Sequence, residues 1–311
     1  MAVKVLVSDK LSEAGLEILR AAEEVELDVA VGLSPEELSE RIGGYEAIII
    51  RSATKLPASI LEKAVSLKAI VRAGVGVDNV DLTAAKERGI AVMNTPGGST
   101  SAVAELVLGM MLGLARRLPE ADRTMKAGRW EKKSLQGTQL KDKTLGLIGL
   151  GRIGRTVAEY ARAFGMTVIG YDPLVTEDIA GIERCDLDRV FREADYLSLH
   201  VPLTEETRHM VGTETLKKVK KGVRIINCAR GGVVDEQALR EALDDGRVAG
   251  AAFDVYETEP PGENSIASHP KVIATPHIGA STDEAQASVS TEAAAIIVEY
   301  ARSGTFRNRL V

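Results

Sequence analysis

The chain has 311 residues, enough for about two domains, and its apolar fraction of 45% is sufficient for two hydrophobic cores. Its net charge of −6 argues against nucleic acid or an anionic membrane as a partner. Two cysteines, Cys185 and Cys228, exclude a disulfide framework, and we predict no metal site. No leader pattern opens the chain, and the longest apolar run, 106–115, is about half a membrane span. We therefore expect a cytoplasmic protein without a membrane partner.

Apolar, β-rich runs alternate with helical patterns along the chain, which is typical of an α/β protein. We predict a first set of strands over 3–7, 47–50, 69–71 and 90–93. A second set is predicted over 145–148, 168–171, 196–199, 223–226, 248–253 and 272–274. These runs are apolar on both faces, as expected of parallel strands covered by helices. The predicted fold class is α/β, with two doubly wound parallel-sheet (Rossmann-like) domains and an active-site cleft between them.

The turn-rich segment 94–99 is interpreted as the crossing between the domains. The helix predicted after it, 101–118, is apolar nearly all round and must be buried. It is either a core helix or part of a subunit interface, and the sequence leaves both interpretations open. The last predicted helix, 281–302, has alanines at close-packing spacing. If it returns to the first domain, that domain is discontinuous.

A glycine motif opens the second set of strands. Gly149, Gly151 and Gly154 follow a strand and begin a helix, and Asp172 stands at the end of the next strand. These glycines allow a tight turn, close approach of a pyrophosphate and packing of the helix against the strand. The acid accepts hydrogen bonds from ribose hydroxyls and repels a 2′-phosphate. The motif therefore predicts a dinucleotide site that favours NAD over NADP.

Three groups capable of chemistry follow three successive strands of the second set. Arg230, Glu259 and His277 come after the strands at 223–226, 248–253 and 272–274. Ligands bind beyond the carboxyl ends of parallel strands, so we expect these side chains near the nicotinamide. Histidine is a base at neutral pH, a carboxylate stabilises its protonated form, and arginine holds a carboxylate. The set predicts oxidation of a 2-hydroxy acid.

The other histidines receive simpler interpretations. His200 ends a strand and is taken as a wall of the cofactor cleft, whereas His209 and His269 are expected at the surface.

Two loops of the first domain could hold the substrate. Glycines in 72–79 expose backbone N–H groups to a carboxylate, and Arg51 adds positive charge at another strand end.

With these motifs in place, the chain resembles the D-isomer-specific 2-hydroxyacid dehydrogenases over essentially its whole length. The motifs that carry the resemblance are 72–81, 149–154, 227–236, 250–261 and 275–286. The resemblance implies a flavodoxin-like substrate-binding domain formed by 1–98 plus 284–311, and an NAD-binding Rossmann domain formed by 99–283. It also implies a homodimer or homotetramer, with an interface built from about residues 101–139.

The resemblance also assigns site residues. Arg230, Glu259 and His277 would be the catalytic trio. The residues implied to bind NAD are Gly149, Gly151, Arg152, Ile153, Gly154, Asp172, Val201, Pro202, Thr207, Cys228, Ala229, Arg230, Asp254, His277, Gly279 and Ala280. The substrate would contact Arg51, Arg72, Val75 and Gly76. Val75 and Val201 lack the hydroxyl that some relatives have, so only backbone contacts are expected there.

Within the family, the chain is most similar to members that oxidise 3-phosphoglycerate to 3-phosphohydroxypyruvate with NAD, the first step of serine biosynthesis. A glyoxylate or hydroxypyruvate reductase would use the same trio and remains open. An NAD-sensing corepressor is a third possibility, against which the lack of a basic surface argues. Many phosphoglycerate-oxidising members continue into serine-binding domains. This sequence stops after the last helix, so a natural short form and a truncated chain both stay open, and we expect no feedback inhibition by serine.

Overall fold

A computed structural model describes residues 2–311 of the protein. The chain divides into two compact units. The first consists of the chain up to Thr100 together with Ala280–Val311, and the second is Ser101–Gly279. The boundaries predicted from the sequence stand after residues 98 and 283, two residues before and four residues after these divisions. Each unit is built on one parallel sheet, so the predicted fold class of two parallel-sheet α/β domains is confirmed.

The first unit holds a sheet with strand order β2-β1-β3-β4-β5, in which every described pair is parallel. Its elements are β1 (Val3–Val7), α1 (Glu13–Arg20), β2 (Val25–Val29), α2 (Pro35–Arg41), β3 (Ala47–Ile50), α3 (Ala58–Leu61), β4 (Ala69–Arg72), α4 (Leu82–Glu87) and β5 (Ala91–Asn94). The strand order reverses between β1 and β3, and such a reversal opens a crevice at the carboxyl ends of the two strands. β2 was not predicted, because this edge strand alternates polar and apolar residues instead of forming an apolar run.

The second unit holds a sheet with strand order β12-β11-β10-β9-β6-β7-β8, again with parallel pairs. Its elements are α5 (Thr100–Arg116), α6 (Leu118–Lys126), β6 (Thr144–Ile148), α7 (Arg152–Ala163), β7 (Thr167–Tyr171), β8 (Glu183–Arg184), α8 (Leu187–Glu193), β9 (Tyr196–Leu199), α9 (Thr213–Leu216), β10 (Val223–Asn227), α10 (Glu236–Asp244), β11 (Val248–Phe253) and β12 (Val272–Ala274). The order reverses between β6 and β9, which places a ligand crevice beside the glycine motif.

The buried helix predicted over 101–118 is in fact two helices. α5 ends at Arg116, and Arg117 takes a left-handed conformation with φ of 52° before α6 begins. Pro119 explains the break, because its ring and its missing N–H group are tolerated in the first turn of α6 but not in the interior of one continuous helix. In α5, Met110 and Met111 are 3% and 0% exposed and belong to a core cluster with residues of β6 and β9. These two methionines therefore serve the core of the second unit.

The last helix, α11 (Asp283–Ser303), packs against α1 within the first unit. A Cβ on Gly15 would stand 2.8 Å from the carbonyl oxygen of Ser290, so glycine permits the close approach of the two helices. The backbone N–H of Ser12 donates to Ser290 Oγ at 3.1 Å. Ile296 and Ile297 are fully buried in the same core cluster as β1 and β3. The first unit is therefore built from both ends of the chain.

Residues 2–311 lack two features, a membrane-spanning helix and a metal-binding cluster. None of their helices combines the length and the apolar character that crossing a membrane requires. No group of three or more His, Cys, Asp or Glu side chains is arranged among them to hold a metal ion.

Candidate active site

The glycine motif forms a tight turn between β6 and α7. Gly149 has φ of 97°, and a Cβ there would stand 2.4 Å from the carbonyl oxygen of His200. A Cβ on Gly154 would stand 2.3 Å from the carbonyl oxygen of Gly149, so the helix presses directly on the turn. Gly151, the N-cap of α7, faces open space, since a Cβ there would meet nothing within 4 Å. The backbone at the N-terminus of α7 is therefore open to a phosphate group.

Asp172 stands at the end of β7, which pairs with β6. Its Oδ2 accepts the N–H of Leu150 at 2.8 Å, and its Oδ1 accepts the N–H of Leu174 at 2.9 Å. The carboxylate is thus fixed against the glycine turn, and each oxygen keeps a lone pair for a further donor. Arg155 reinforces the arrangement by donating from Nε to the carbonyl of Leu150 at 2.8 Å and from a guanidinium nitrogen to Glu177 at 2.7 Å.

His200 follows β9 directly beneath the glycine turn. Burial lowers the pKa of His200 to about 4, because the charged imidazolium is poorly solvated there. Its Nε2 lies 2.9 Å from Ser198 Oγ, a hydroxyl with 0% exposure. The ring is therefore neutral at physiological pH. In the following loop, the Thr207 hydroxyl donates to the carbonyl of Pro202 at 2.6 Å and holds the loop compact.

The loop after β10 carries Arg230. Asn227 is fully buried and organises this loop by accepting the N–H of Ala229 at 3.1 Å and donating to the carbonyl of Arg230 at 2.9 Å. A Cβ on Gly231 would stand 1.8 Å from the carbonyl oxygen of Tyr256, so the loop packs tightly on the loop after β11. The sequence motif contained Asn227 but gave no sign that its amide holds the arginine loop.

Cys228 lies in the same loop, and its Sγ is 3.5 Å from the sulfur of Met110. Burial raises the pKa of the Cys228 thiol well above its usual range, with the charge of Asp254 as a smaller cause. The thiol is therefore protonated and is a packing group rather than a nucleophile.

His277 and Glu259 form a close pair. His277 Nδ1 lies 2.8 Å from Glu259 Oε2, and the two side chains are 53% and 38% exposed. The other carboxylate oxygen, Oε1, accepts the N–H of Tyr256 at 3.2 Å. A carboxylate only accepts, so Nδ1 carries the proton in this pair and Nε2 of the neutral ring is left as the basic nitrogen.

Asp254 shapes the loop that carries His277. Its carboxylate is 1% exposed and accepts the Thr275 hydroxyl at 2.5 Å and the N–H groups of Ile278 and Gly279 at 2.8 and 2.7 Å. These three bonds straddle His277, which adopts a left-handed φ of 53°. The resemblance assigned Asp254 to the cofactor. In the structure, its contacts are to the histidine loop.

Tyr256 links the same loops from within. Its hydroxyl donates to the carbonyls of Phe253 and Thr275, at 3.1 and 2.9 Å. Burial raises the pKa of Tyr256 to about 12, so the hydroxyl remains a donor over the whole physiological range. Sequence analysis did not single out Tyr256. Its place two residues after Asp254 was the available signal.

One histidine prediction was wrong. His269 is 5% exposed, and it joins α10 to the start of β12. Its Nδ1 accepts the N–H of Lys271 at 3.1 Å and its Nε2 lies 3.2 Å from Asp244 Oδ1. The sequence gave no sign of this burial, because Ser268, Pro270 and Lys271 around it form no apolar run. His209 is exposed, as expected, and its Nε2 lies 3.1 Å from Glu257 Oε1.

The substrate-loop residues assigned by resemblance lie in the first unit. The loop after β4 is fixed by Asn94, which donates to the carbonyl of Val75 at 2.6 Å, and by the N–H of Thr95, which donates to the carbonyl of Gly74 at 3.0 Å. Gly74 has φ of 148°, and a Cβ there would overlap a guanidinium nitrogen of Arg72 at 1.5 Å. The Arg72 side chain therefore lies over the backbone of Gly74, a position that only glycine allows.

Comparison with known proteins shows which family this arrangement belongs to. The family model for the D-isomer specific 2-hydroxyacid dehydrogenase, NAD binding domain, matches residues 108–279. The chain belongs to this family. The second unit of the structure is thus the family's NAD-binding domain, and the predicted family and the predicted cofactor, NAD, are confirmed.

Three similar proteins illustrate the range of the family. A D-3-phosphoglycerate dehydrogenase of Methanocaldococcus jannaschii is 49% identical over 93% of this chain and 56% of its own length. A hydroxypyruvate reductase of Thermotoga maritima is 48% identical over 93% of this chain and 95% of its own length. The solved D-lactate dehydrogenase of Aquifex aeolicus, complexed with NAD and lactic acid, aligns over 99% of this chain and all of that one with a TM-score of 0.84 and 32% identity.

The chain spans about half the length of several curated phosphoglycerate dehydrogenases that it matches, between 53% and 57% of each. The matched half contains the two units described above. The activity and substrate named for those longer proteins are therefore not shown for this chain.

NAD fits the residues at the carboxyl edge of the second sheet. A Cβ on Gly151 would meet nothing within 4 Å, so the N-terminus of α7 has space for a phosphate group, and Asp172 is oriented beside the turn. The structure brings most of the residues assigned to the cofactor to this edge. They are Gly149, Gly151, Arg152, Ile153 and Gly154 after β6, Asp172 after β7, Val201, Pro202 and Thr207 after β9, Cys228, Ala229 and Arg230 after β10, Asp254 after β11, and His277 and Gly279 after β12, whereas Ala280 is assigned to the first unit.

Proposed function

We propose that this family member is an NAD-dependent D-2-hydroxyacid dehydrogenase in which His277 is the base. The observation that carries the proposal is the 2.8 Å pairing of His277 with Glu259 at the edge of the sheet that bears the glycine turn. A base held by a carboxylate and placed on the same edge as a dinucleotide site is the arrangement that alcohol oxidation requires.

Each residue of the trio has a separate role. NAD, when bound, accepts the hydride that leaves the carbinol carbon. Nε2 of His277 takes the hydroxyl proton, and Glu259 stabilises the imidazolium that results. Arg230 presents a planar guanidinium to the substrate carboxylate, which also favours the carbonyl that forms beside it. Asp254 and Tyr256 hold the loops that deliver these groups.

For the substrate we propose 3-phospho-D-glycerate, oxidised to 3-phosphohydroxypyruvate in the first step of serine biosynthesis. Two observations support this choice. Arg51 stands at the carboxyl edge of the first sheet, where a second anionic group could be held. Several similar proteins between 45% and 49% identical are named D-3-phosphoglycerate dehydrogenase.

Reduction of hydroxypyruvate is the second candidate. The observation that favours it is the Thermotoga maritima hydroxypyruvate reductase, which this chain matches over 95% of that protein's length. Both activities would use the same trio. They differ in whether the substrate must carry a phosphate.

A substrate panel followed by NADH absorbance separates the candidates. The panel contains 3-phosphoglycerate and D-glycerate with NAD, and phosphohydroxypyruvate, hydroxypyruvate and glyoxylate with NADH. Preparations of the His277→Ala variant provide the background rate. We expect kcat/KM for the phosphorylated compounds to exceed that for their unphosphorylated counterparts. Equal or higher values for hydroxypyruvate would favour the reductase, and no turnover of any compound would refute both.

A further inference from the structure

The loop that carries Arg51 is held from below by a buried carboxylate. Asp9, just beyond β1, is 5% exposed. Its Oδ2 accepts the N–H of Arg51 at 2.5 Å and the N–H of Thr54 at 3.1 Å, and its Oδ1 accepts the Thr54 hydroxyl at 3.0 Å. A buried carboxylate is tolerated only when it is well hydrogen-bonded, so these contacts and the loop conformation depend on each other.

The side chain of Arg51 is held by the same segment. One guanidinium nitrogen donates to the carbonyl of Lys10, the residue after Asp9, at 2.9 Å. Backbone and guanidinium are therefore both tied to residues 9–10. The rest of the planar fork can address the oxygens of an anion, which guanidinium geometry fits well.

A second side chain joins this loop to the loop after β4. Asn79 Nδ2 donates to the carbonyls of Arg51 and Thr54, at 2.6 Å each. Asn79 ends the glycine-containing segment 72–79, whose middle is fixed by the contact of Asn94 with Val75. The position of Arg51 relative to Val75 is thus set by hydrogen bonds within the first unit.

The contacts lie where a ligand is expected in this type of sheet. Asp9 follows β1 and Arg51 follows β3, and the strand order of the first sheet reverses between these two strands. Sheets with this order bind ligands in the crevice outside the carboxyl ends at the reversal. A carboxylate buried below that crevice shapes the loop without meeting the ligand.

We propose that Asp9 is a positioning residue that, together with Asn79, fixes Arg51 to receive a second anionic group of the substrate, a phosphate ester. The inference rests on the proposed function. Asp9 acts through Arg51 and touches no reacting atom, so its loss affects the affinity for the phosphorylated substrate and leaves the rate of the chemical step unchanged.

The test compares Asp9→Ala with Asp9→Asn on 3-phosphoglycerate and on D-glycerate. Asp9→Ala removes both carboxylate oxygens, and we expect KM for 3-phosphoglycerate to rise about 10- to 100-fold while KM for D-glycerate and both kcat values change less than about 3-fold. Asp9→Asn should bring KM for 3-phosphoglycerate to within about 3-fold of wild type. Its amide oxygen can accept the two N–H groups and its NH₂ can donate to Thr54.

Two further variants keep the test decisive. Asp9→Ala combined with Arg51→Gln should be no worse than Arg51→Gln alone, because residues that act as one unit are not additive. Asn79→Ala should reproduce the selective rise in KM for 3-phosphoglycerate, even if Asp9→Ala is too unstable to purify. The matched control is Asp28→Ala, which removes a carboxylate hydrogen-bonded to Arg41 elsewhere in the same unit and should leave both KM values in place.

The possible failures are distinguishable. A wild-type enzyme that oxidises 3-phosphoglycerate, with Asp9→Ala and Asn79→Ala variants that keep its KM or raise KM for both substrates equally, overturns the role of Asp9 alone. The role of Asp9 is also overturned if the effects of Asp9→Ala and Arg51→Gln on KM for 3-phosphoglycerate are fully additive in the double variant. A wild-type enzyme without activity on any phosphorylated hydroxy acid overturns the proposed function first and the inference with it.

Discussion

At the scale of single residues, the paired histidine and glutamate give the most direct test of the chemistry. If His277 takes the hydroxyl proton, His277→Ala removes the base, and kcat should fall by about 10²–10⁴-fold. The affinity for NAD should stay near that of wild type, because the glycine turn and Asp172 are untouched. Steady-state kinetics and a fluorescence titration with NADH measure the two quantities. Near-normal turnover in this variant would show that another group is the base.

Glu259→Gln should fail in a different way. The amide keeps the size of the side chain but cannot stabilise by charge the imidazolium that forms during oxidation. We therefore expect kcat to fall, but by less than in His277→Ala. Steady-state kinetics of the two variants measure both losses, and an unchanged kcat in Glu259→Gln would separate Glu259 from the base.

Asp172 should determine the choice of cofactor. Its carboxylate is fixed by the N–H groups of Leu150 and Leu174, so it cannot easily move away from an added 2′-phosphate. We expect kcat/KM with NAD to exceed that with NADP by at least about 100-fold, on the order of 3 kcal/mol. Asp172→Ala should reduce this ratio, mainly by lowering kcat/KM with NAD. Equal use of both cofactors by the wild-type protein would contradict the assignment.

At the scale of elements, both sheets have their candidate site residues at the point where the strand order reverses. In the first sheet Asp9 and Arg51 follow β1 and β3, and in the second sheet Gly149 and His200 follow β6 and β9. The carbonyl of His200 contacts the glycine turn so closely that a Cβ on Gly149 would overlap it. The packing of β9 against β6 is thus part of the cofactor site.

This packing should make stability depend on pH. The pKa of His200 is about 4 in the folded protein and about 6.5 in an unfolded chain, so the unfolded state binds the proton first as pH falls. This contribution to the free energy of unfolding is complete above pH 6.5 and decreases as pH falls toward 4. At pH 4.5 about 2–3 kcal/mol of it has been lost. His200→Gln should lose correspondingly less stability between pH 7 and 4.5 in urea unfolding. His209→Gln, an exposed control, should behave as wild type, and identical losses in all three proteins would refute the effect.

At the scale of the whole molecule, the exposed apolar surface predicts association. Leu118, Met125 and Trp130 are 53%, 54% and 78% exposed, within the segment 101–139 to which the family resemblance assigned an interface. Exposed apolar groups of this size commonly mark protein contacts. We expect a dimer or larger species in light scattering at micromolar concentration. Met110 and Met111, buried in their own unit, do not provide this surface.

Trp130→Asp should shift the protein toward smaller species, since a charge in an apolar contact is costly to desolvate. Val65→Asp is the matched control, because Val65 is also 78% exposed but lies in the first unit. It should leave the oligomeric state unchanged. A wild-type protein that stays monomeric, or equal effects of both substitutions, would remove the basis for the interface.

The sequence by itself determined the features that depend on local order along the chain. The glycine spacing of 149–154 and the acid at 172 define a strand–turn–helix–strand unit, because Gly149 and Gly154 meet steric demands within it and Gly151 leaves open space. The strands with continuous apolar runs were predicted closely, because burial on both faces leaves a clear pattern. The proposed trio was predicted from positions after three strand ends, since parallel strands bring their carboxyl ends to one edge of a sheet.

Only the tertiary structure decided which residues that are distant in sequence come into contact. The edge strand β2 has no apolar run, and it forms only because β1 pairs with it. His269 is buried although it lies in no apolar run, and Asp254 holds the loop of His277 by contacts across 24 and 25 residues of chain. Asp9 reaches Thr54 and Arg51 because β1 and β3 are neighbours in the sheet. Such contacts depend on the pairing of distant segments, which no local pattern encodes.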